Sequence, residues 1–177
     1  GYKGSHGDVP LEEVMGFAPS LDSLGLIARE VADLALARAV LAGGPVGPPP
    51  DWDETPPRVA LLRGPHWQDG SMEMRETVRR AMDRLAAAGA AVGELSTPPV
   101  FAGLTEAHKT VMAFEAARTR AHEATRHRDA LSPAFADLIA AGQATPRAAY
   151  EAALATRDRA ARLMAPMFLD CDAILTP

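Results

Sequence analysis

In the run Gly4-Ser5-His6-Gly7 a hydroxyl stands beside an imidazole. Such a pair could make an activated nucleophile, because the imidazole can take the hydroxyl proton as the oxygen attacks a carbonyl carbon. A nucleophile elbow needs a glycine where Lys3 sits and a strand leading into it, so the four residues read as an ordinary loop. Gly43, Gly44 and Gly47 have the composition of a phosphate cradle. Cradles follow a strand and open a helix, whereas these glycines close one, which reads as a C-cap and linker. His122 and His127 are five apart with no cysteine near, unlike metal-binding pairs at i and i+4. Cys171 has no adjacent lysine or arginine and precedes an apolar run, the setting of a buried, inert thiol. Asp170 and Asp172 flank it, as a helix-to-strand turn would have them. Arg118, Arg120, Arg126 and Arg128 are interspersed with Glu115, Glu123 and Asp129, the pattern of a solvated helix face. By residue type and spacing alone, this chain offers no catalytic group, no metal site and no cofactor site.

The elements that would carry these residues are legible from period and punctuation. Ser20 to Ser23 supply capping side chains, and Ile27, Val31, Leu34 and Leu41 recur at helical spacing until Gly43-Gly44. Residues 44–57 are rich in proline and glycine and read as a linker or surface loop. Arg58 to Arg63 is a short apolar run, suited to a strand buried on both faces of a parallel sheet. A helix follows, capped by Ser71, striped by Met74, Val78, Met82 and Leu85 and stopped by Gly89. Ala91 to Leu95 is a second strand, completing a parallel βαβ unit. The remainder is mostly helical. One long helix is expected over Leu104 to Arg128, a short one from Ser132-Pro133 to Gly142, and one opened by Thr145-Pro146. In the last, Tyr150, Leu154, Ala161 and Phe168 form the face and Pro166 kinks or ends it.

The chain has 177 residues, is 47% hydrophobic and carries a net charge of −5, enough for one cored domain or a large piece of a bigger one. The acidic balance argues against nucleic acid and anionic membrane as partners. No apolar run approaches a membrane span, and a single cysteine suits a reducing cytoplasm. The opening on Gly1-Tyr2-Lys3 without methionine, and the strand-like close at Ala173 to Pro177, create the expectation of a chain cut at both ends.

Gly1-Tyr-Lys-Gly-Ser-His-Gly7, then Gly16-Phe-Ala-Pro-Ser-Leu-Asp-Ser-Leu-Gly25 and Ile27-Ala-Arg-Glu-Val-Ala-Asp33, resemble the stretch just after the Gly/Ser-rich signature of the amidase signature family. Weaker likeness continues through Arg58 to Arg63, the Glu115-Ala116 pair and Asp172-Ala-Ile-Leu-Thr-Pro177. The pattern departs at Gly4, where the family usually has proline, and a looser turn is expected there.

The resemblance implies an α/β fold, a mixed sheet of the amidase-signature type covered by helices, with residues 1–177 forming part of a single domain. It implies hydrolysis of carboxamide C–N bonds through an acyl-serine, without cofactor. The family's nucleophilic serine, its second serine with a cis peptide bond and its lysine all lie before the segment matching Gly1. Lys3 matches a structural lysine, so no residue of this chain is assigned a catalytic role. In related amidotransferase subunits an aromatic residue shortly before the Glu-Ala pair faces the substrate. His108 and Lys109 hold the matching positions and become the candidate substrate-binding residues. The implied partners are a small-molecule amide and the remainder of the amidase chain, with a homodimer left open. A rival inside the family is the glutaminase subunit of a tRNA-dependent amidotransferase. A rival of another class is a non-catalytic α/β binding module.

Overall fold

In the computed structural model the described residues are 1–45 and 55–177, so most of the linker expected at 44–57 lies outside them. Along the chain run β1 (Tyr2–Lys3), β2 (Gly25–Leu26), α1 (Val31–Leu41), β3 (Arg58–Leu62), α2 (Met72–Ala87), β4 (Ala91–Leu95), α3 (Leu104–Thr119), α4 (Ala121–Arg126), α5 (Pro133–Ala144), α6 (Arg147–Met167) and β5 (Ala173–Leu175). The described residues fall into two compact units. One takes residues 55–108 and Glu151–Pro177, the other residues 1–45 and Lys109–Tyr150.

The first unit is built on a parallel sheet of order β4-β3-β5. Val59 of β3 aligns with Val92 on one side and Ala173 on the other. Side chains alternate across a strand, so β3 needs apolar residues in both directions, and Val59 to Leu62 are all buried. Val59 and Leu61 pack with Trp67, Val78 and Met82, which puts α2 on one face. Leu62 packs with Phe101 and Ala160, joined by Leu104, Met164 and Met167, which puts α6 near the other. Ser71 caps α2 as expected, its side chain accepting from the Met74 amide at 3.2 Å. Gly89 follows the helix at φ +99°, a conformation that penalises any residue with a Cβ. The expected βαβ unit is therefore present, and β5 adds the third strand.

The middle strand is pinned to β5 by a two-way exchange. Asp172 accepts from the Arg58 backbone amide and from Nη2, each at 2.8 Å, while the Asp172 amide donates to the Arg58 carbonyl at 2.8 Å. The Arg58 guanidinium, then its backbone N–H, hold the Asp172 carboxyl below the usual aspartate range. One expectation is corrected in this unit, and the burial expected of Cys171 is found. The buried positions of α6 include Ala153 and Ala160, whereas Ala161 and Phe168 are exposed, because small residues let the helix approach closely. Cys171 is 2% exposed and donates its thiol to the Met167 carbonyl at 3.3 Å.

In the second unit α3 and α5 pack through small residues. A Cβ on Gly142 would collide with the Ala113 carbonyl and lie 2.8 Å from the Ala117 Cβ, so this glycine is a contact inside α5 rather than its stop signal. Ala116, Ala117 and Ile139 form the core, with Phe17 and Phe135 against it. The long helix expected over 104–128 breaks at Arg120, whose φ of −108° and ψ of 21° are not helical. The helix expected after Ser20 starts only at Val31, with no side-chain cap. Gly25–Leu26 pairs antiparallel with Tyr2–Lys3 instead, and most of the anticipated stripe faces outward, Ile27 at 95% and Val31 at 80% exposure, while Leu34 is half-buried. Among the described residues no helix is long and apolar enough to cross a membrane.

Candidate functional site

Between β1 and β2 the chain folds into a loop that walls a cleft of about 470 Å³. Leu11, Val14, Met15, Pro19 and Leu24 make its apolar lining, with Asp22 and Ser23 among them. The loop turns at Glu13, whose φ of +67° lies in the left-handed region, and Val14 N–H donates to the Leu11 carbonyl at 3.0 Å. Asp22 binds the loop to itself: its Oδ2 accepts from the Phe17 amide at 2.7 Å and from the Ala18 amide at 3.0 Å.

Helix α3 supplies the anchor. Glu115 is 8% exposed, and a carboxylate so buried requires hydrogen bonds to replace its water. Ser20 gives two, from its amide to Oε2 at 2.9 Å and its hydroxyl to Oε1 at 2.6 Å, and the Tyr150 hydroxyl donates to Oε1 at 2.7 Å. Tyr150 is set for this by stacking on Phe114, with ring centroids 4.0 Å apart. One turn on, the Thr119 hydroxyl donates to the Phe17 carbonyl at 2.7 Å, and Arg120 Nη2 donates to the Gly16 carbonyl. The solvated face expected for the arginines therefore fails at Arg120, whose side chain is 12% exposed. Here the local break in α3 turns a surface cation onto the loop.

His6 does not engage Ser5. Its Nε2 lies 2.9 Å from the Pro19 carbonyl, which can only accept, so Nε2 carries a proton and donates. The departure at Gly4 also has a physical reason. Gly4 is buried, and a Cβ there would lie 2.5 Å from Asp8 Oδ2, in space the Asp8 carboxylate fills. That carboxylate receives Arg38 Nη2 at 2.6 Å and Nε at 3.1 Å, and the Arg38 hydrogen bond holds it below the usual aspartate range. The turn is tied rather than loosened.

His108 and Lys109 lie on α3, both exposed, and neither is among the cleft-lining residues at Leu11 to Leu24. A different array escaped the sequence reading. His66 Nδ1 is 2.9 Å from Asp69 Oδ2, and Nε2 is 2.8 Å from Thr105 Oγ1. Carboxylate, imidazole and hydroxyl in line are the order of an activated nucleophile. The side chains of His66 and Asp69 are 58% and 75% exposed, so water competes for both, and the contact acts as a clasp between the β3–α2 connection and the start of α3. His66 and Asp69 are three apart and could have been paired from the sequence, but Thr105 could not.

The family described as Amidase matches this sequence over residues 1–177. This chain belongs to the amidase family. Among similar proteins, 2-amino-5-chloromuconic acid deaminase of Comamonas testosteroni is 28% identical over 183 residues, across 100% of this amidase-family chain and 39% of that protein. A solved structure described as a crystal structure of amidase superposes with a TM-score of 0.84 at 26% identity, covering 97% of this chain and 38% of that one. An inhibitor-bound vestigial protein complex, tied to the origins of an s-triazine catabolic enzyme, superposes with a TM-score of 0.70 at 21% identity, over 89% of this chain and 36% of that one, a likeness of fold alone. This amidase segment thus spans less than two-fifths of the length of each.

Proposed function

We propose that the intact protein containing this chain hydrolyses carboxamide C–N bonds through an acyl-serine, and that the 177 residues supply scaffold and part of the substrate wall. The observation that carries the reading is the amidase-family match along the whole chain. In the chemistry this implies, a serine oxygen bonds to the carbonyl carbon, the C–N bond breaks, and nitrogen leaves with a proton as ammonia or amine. Water then releases the carboxylate. A lysine held neutral acts through a bridging serine as general base, and backbone N–H groups bind the oxyanion. Those groups are assigned to sequence outside this chain. His108 and Lys109 are assigned to the substrate wall, about two turns and about 1.7 turns before Glu115 on the same helix.

The test is ammonia release from a panel of aliphatic and aryl amides. Ammonia is also the product of a deaminase, the activity in the name of one relative, so the same readout reports either substrate class. The full-length protein is expected to turn over at least one amide, and the 177-residue chain none. Removing a nucleophile and its base costs several orders of magnitude in rate. Turnover by the 177-residue chain that disappears in Ser5→Ala, His6→Ala or Thr105→Ala would overturn the reading.

A further inference from the structure

The loop lining the cleft puts apolar side chains where a loose loop would turn them away. Val14 and Met15 are 50% and 79% exposed. Yet the backbone beneath them is over-determined. Glu13 holds a left-handed φ of +67°, a strained conformation for a residue with a Cβ that persists only where the surroundings enforce it. Downstream, Gly16, Phe17, Pro19 and Ser20 are each tied by a hydrogen bond to Arg120, Thr119, His6 or Glu115. Fixed apolar walls around about 470 Å³ fall within the range of roughly 300–1,000 Å³ typical of small-molecule sites. The polarity of the lining narrows the ligand. Among the described residues that line the cleft Asp22 is the one ionisable, and both its oxygens accept backbone N–H groups, so the lining is apolar apart from Ser23 and a carboxylate already engaged by backbone.

We propose that this cleft holds the apolar substituent of the amide substrate, an aliphatic chain or aryl ring, and that Glu115 is a positioning residue that keeps the wall in shape by holding Ser20. The proposal rests on the amide-hydrolase reading and adds the substrate class. Glu115 touches no substrate in this scheme. It acts through the Ser20 backbone, one residue from Pro19 in the cleft lining.

The measurement is the ratio of kcat/KM for hexanamide to that for acetamide, taken on one sample of full-length enzyme. A ratio is independent of the fraction folded, so a variant that only destabilises leaves it unchanged. In the unaltered enzyme the ratio should exceed one. Met15→Asp, which puts a charge at the exposed rim, should lower it roughly tenfold, the scale on which a hydrophobic pocket discriminates between homologous chains. Glu115→Ala should lower it several-fold, mostly through KM for hexanamide, and Glu115→Gln, which keeps one acceptor for Ser20, should restore part of it. An unchanged ratio in Met15→Asp would remove the cleft from substrate binding, the result expected if other parts of the protein cover it. An unchanged ratio in Glu115→Ala would remove the positioning role. A full-length protein that releases ammonia from neither amide, nor from any in the wider panel, would instead sink the hydrolase reading itself.

Discussion

Glu115 illustrates how much one side chain can depend on residues far away in sequence. Ser20 and Tyr150, 95 and 35 residues away, donate hydrogen bonds to its carboxylate. The sequence marks Glu115 through the Glu-Ala pair, but nothing local says that Ser20 will leave helix capping to serve it. Short polar side chains such as Ser20 and Asp22 can cap a helix or bind a turn, and the choice belongs to tertiary structure. Asp172 shows the same principle with a testable pH signature. Its folded carboxyl titrates below the ordinary aspartate value because Arg58 hydrogen-bonds to the charged form. The unfolded chain therefore binds that proton more readily, and the stabilisation is complete above about pH 4 and lost as the pH falls through the lowered folded value. Asp172→Asn is expected to flatten this acid limb: thermal midpoints measured from pH 6 to pH 3 should fall less in the variant than in the unaltered protein. Equal slopes would place the acid sensitivity elsewhere. Both side chains are about half exposed, so screening limits the ionic part and the backbone N–H bond to the carboxylate carries more of the effect.

Elements with a strong local pattern and a local stop were readable, and those governed by a remote partner were not. β3, β4 and α2 have an apolar run, a capping serine and a terminal glycine, all within 40 residues, and each forms near its expected place. α1 has as clear a stripe, but most of that stripe faces outward and the helix starts late, because periodicity reports which residues share a face and not what covers it. The break between α3 and α4 carries no proline or glycine to announce it. Gly142 marks a helix contact, not a helix end. Read as a stop, it lies inside α5 where that helix meets the α3 backbone, and the contact decides how a substitution behaves. Were it a mid-helix glycine free of contacts, Gly142→Ala would be stabilising, since alanine favours helix. As a contact, the added Cβ meets backbone that cannot rotate away, and overpacking of this kind costs typically 1–3 kcal/mol. A thermal midpoint lowered by several degrees is expected for Gly142→Ala, and an unchanged one would argue that α5 shifts freely on α3.

At the scale of the whole chain, fold class and family were legible because they rest on many weak signals that agree, whereas the cleft lies in a loop whose shape no period describes. The order in which the sheet assembles follows from its topology. β3 and β4 are joined by a single helix and close a short loop, while β3 and β5 must close one more than 100 residues long. Loop closure grows costlier with length and long-range pairing slows folding. In refolding followed by pulse-labelled hydrogen exchange, the β3–β4 amides should be protected before those of β3–β5, and simultaneous protection would refute a stepwise sheet. The Arg58–Asp172 pair gives this order a meaning during synthesis. Arg58 leaves the ribosome 114 residues ahead of Asp172, which at roughly 5–20 residues per second is a delay of about 6 to 23 s. For that interval the nascent chain carries Val59 to Leu62 with one strand edge unclosed, an apolar segment open to wrong pairing on neighbouring chains. Slower translation through α6 would lengthen the exposure, and chaperones that hold unfinished chains would find their target at β3.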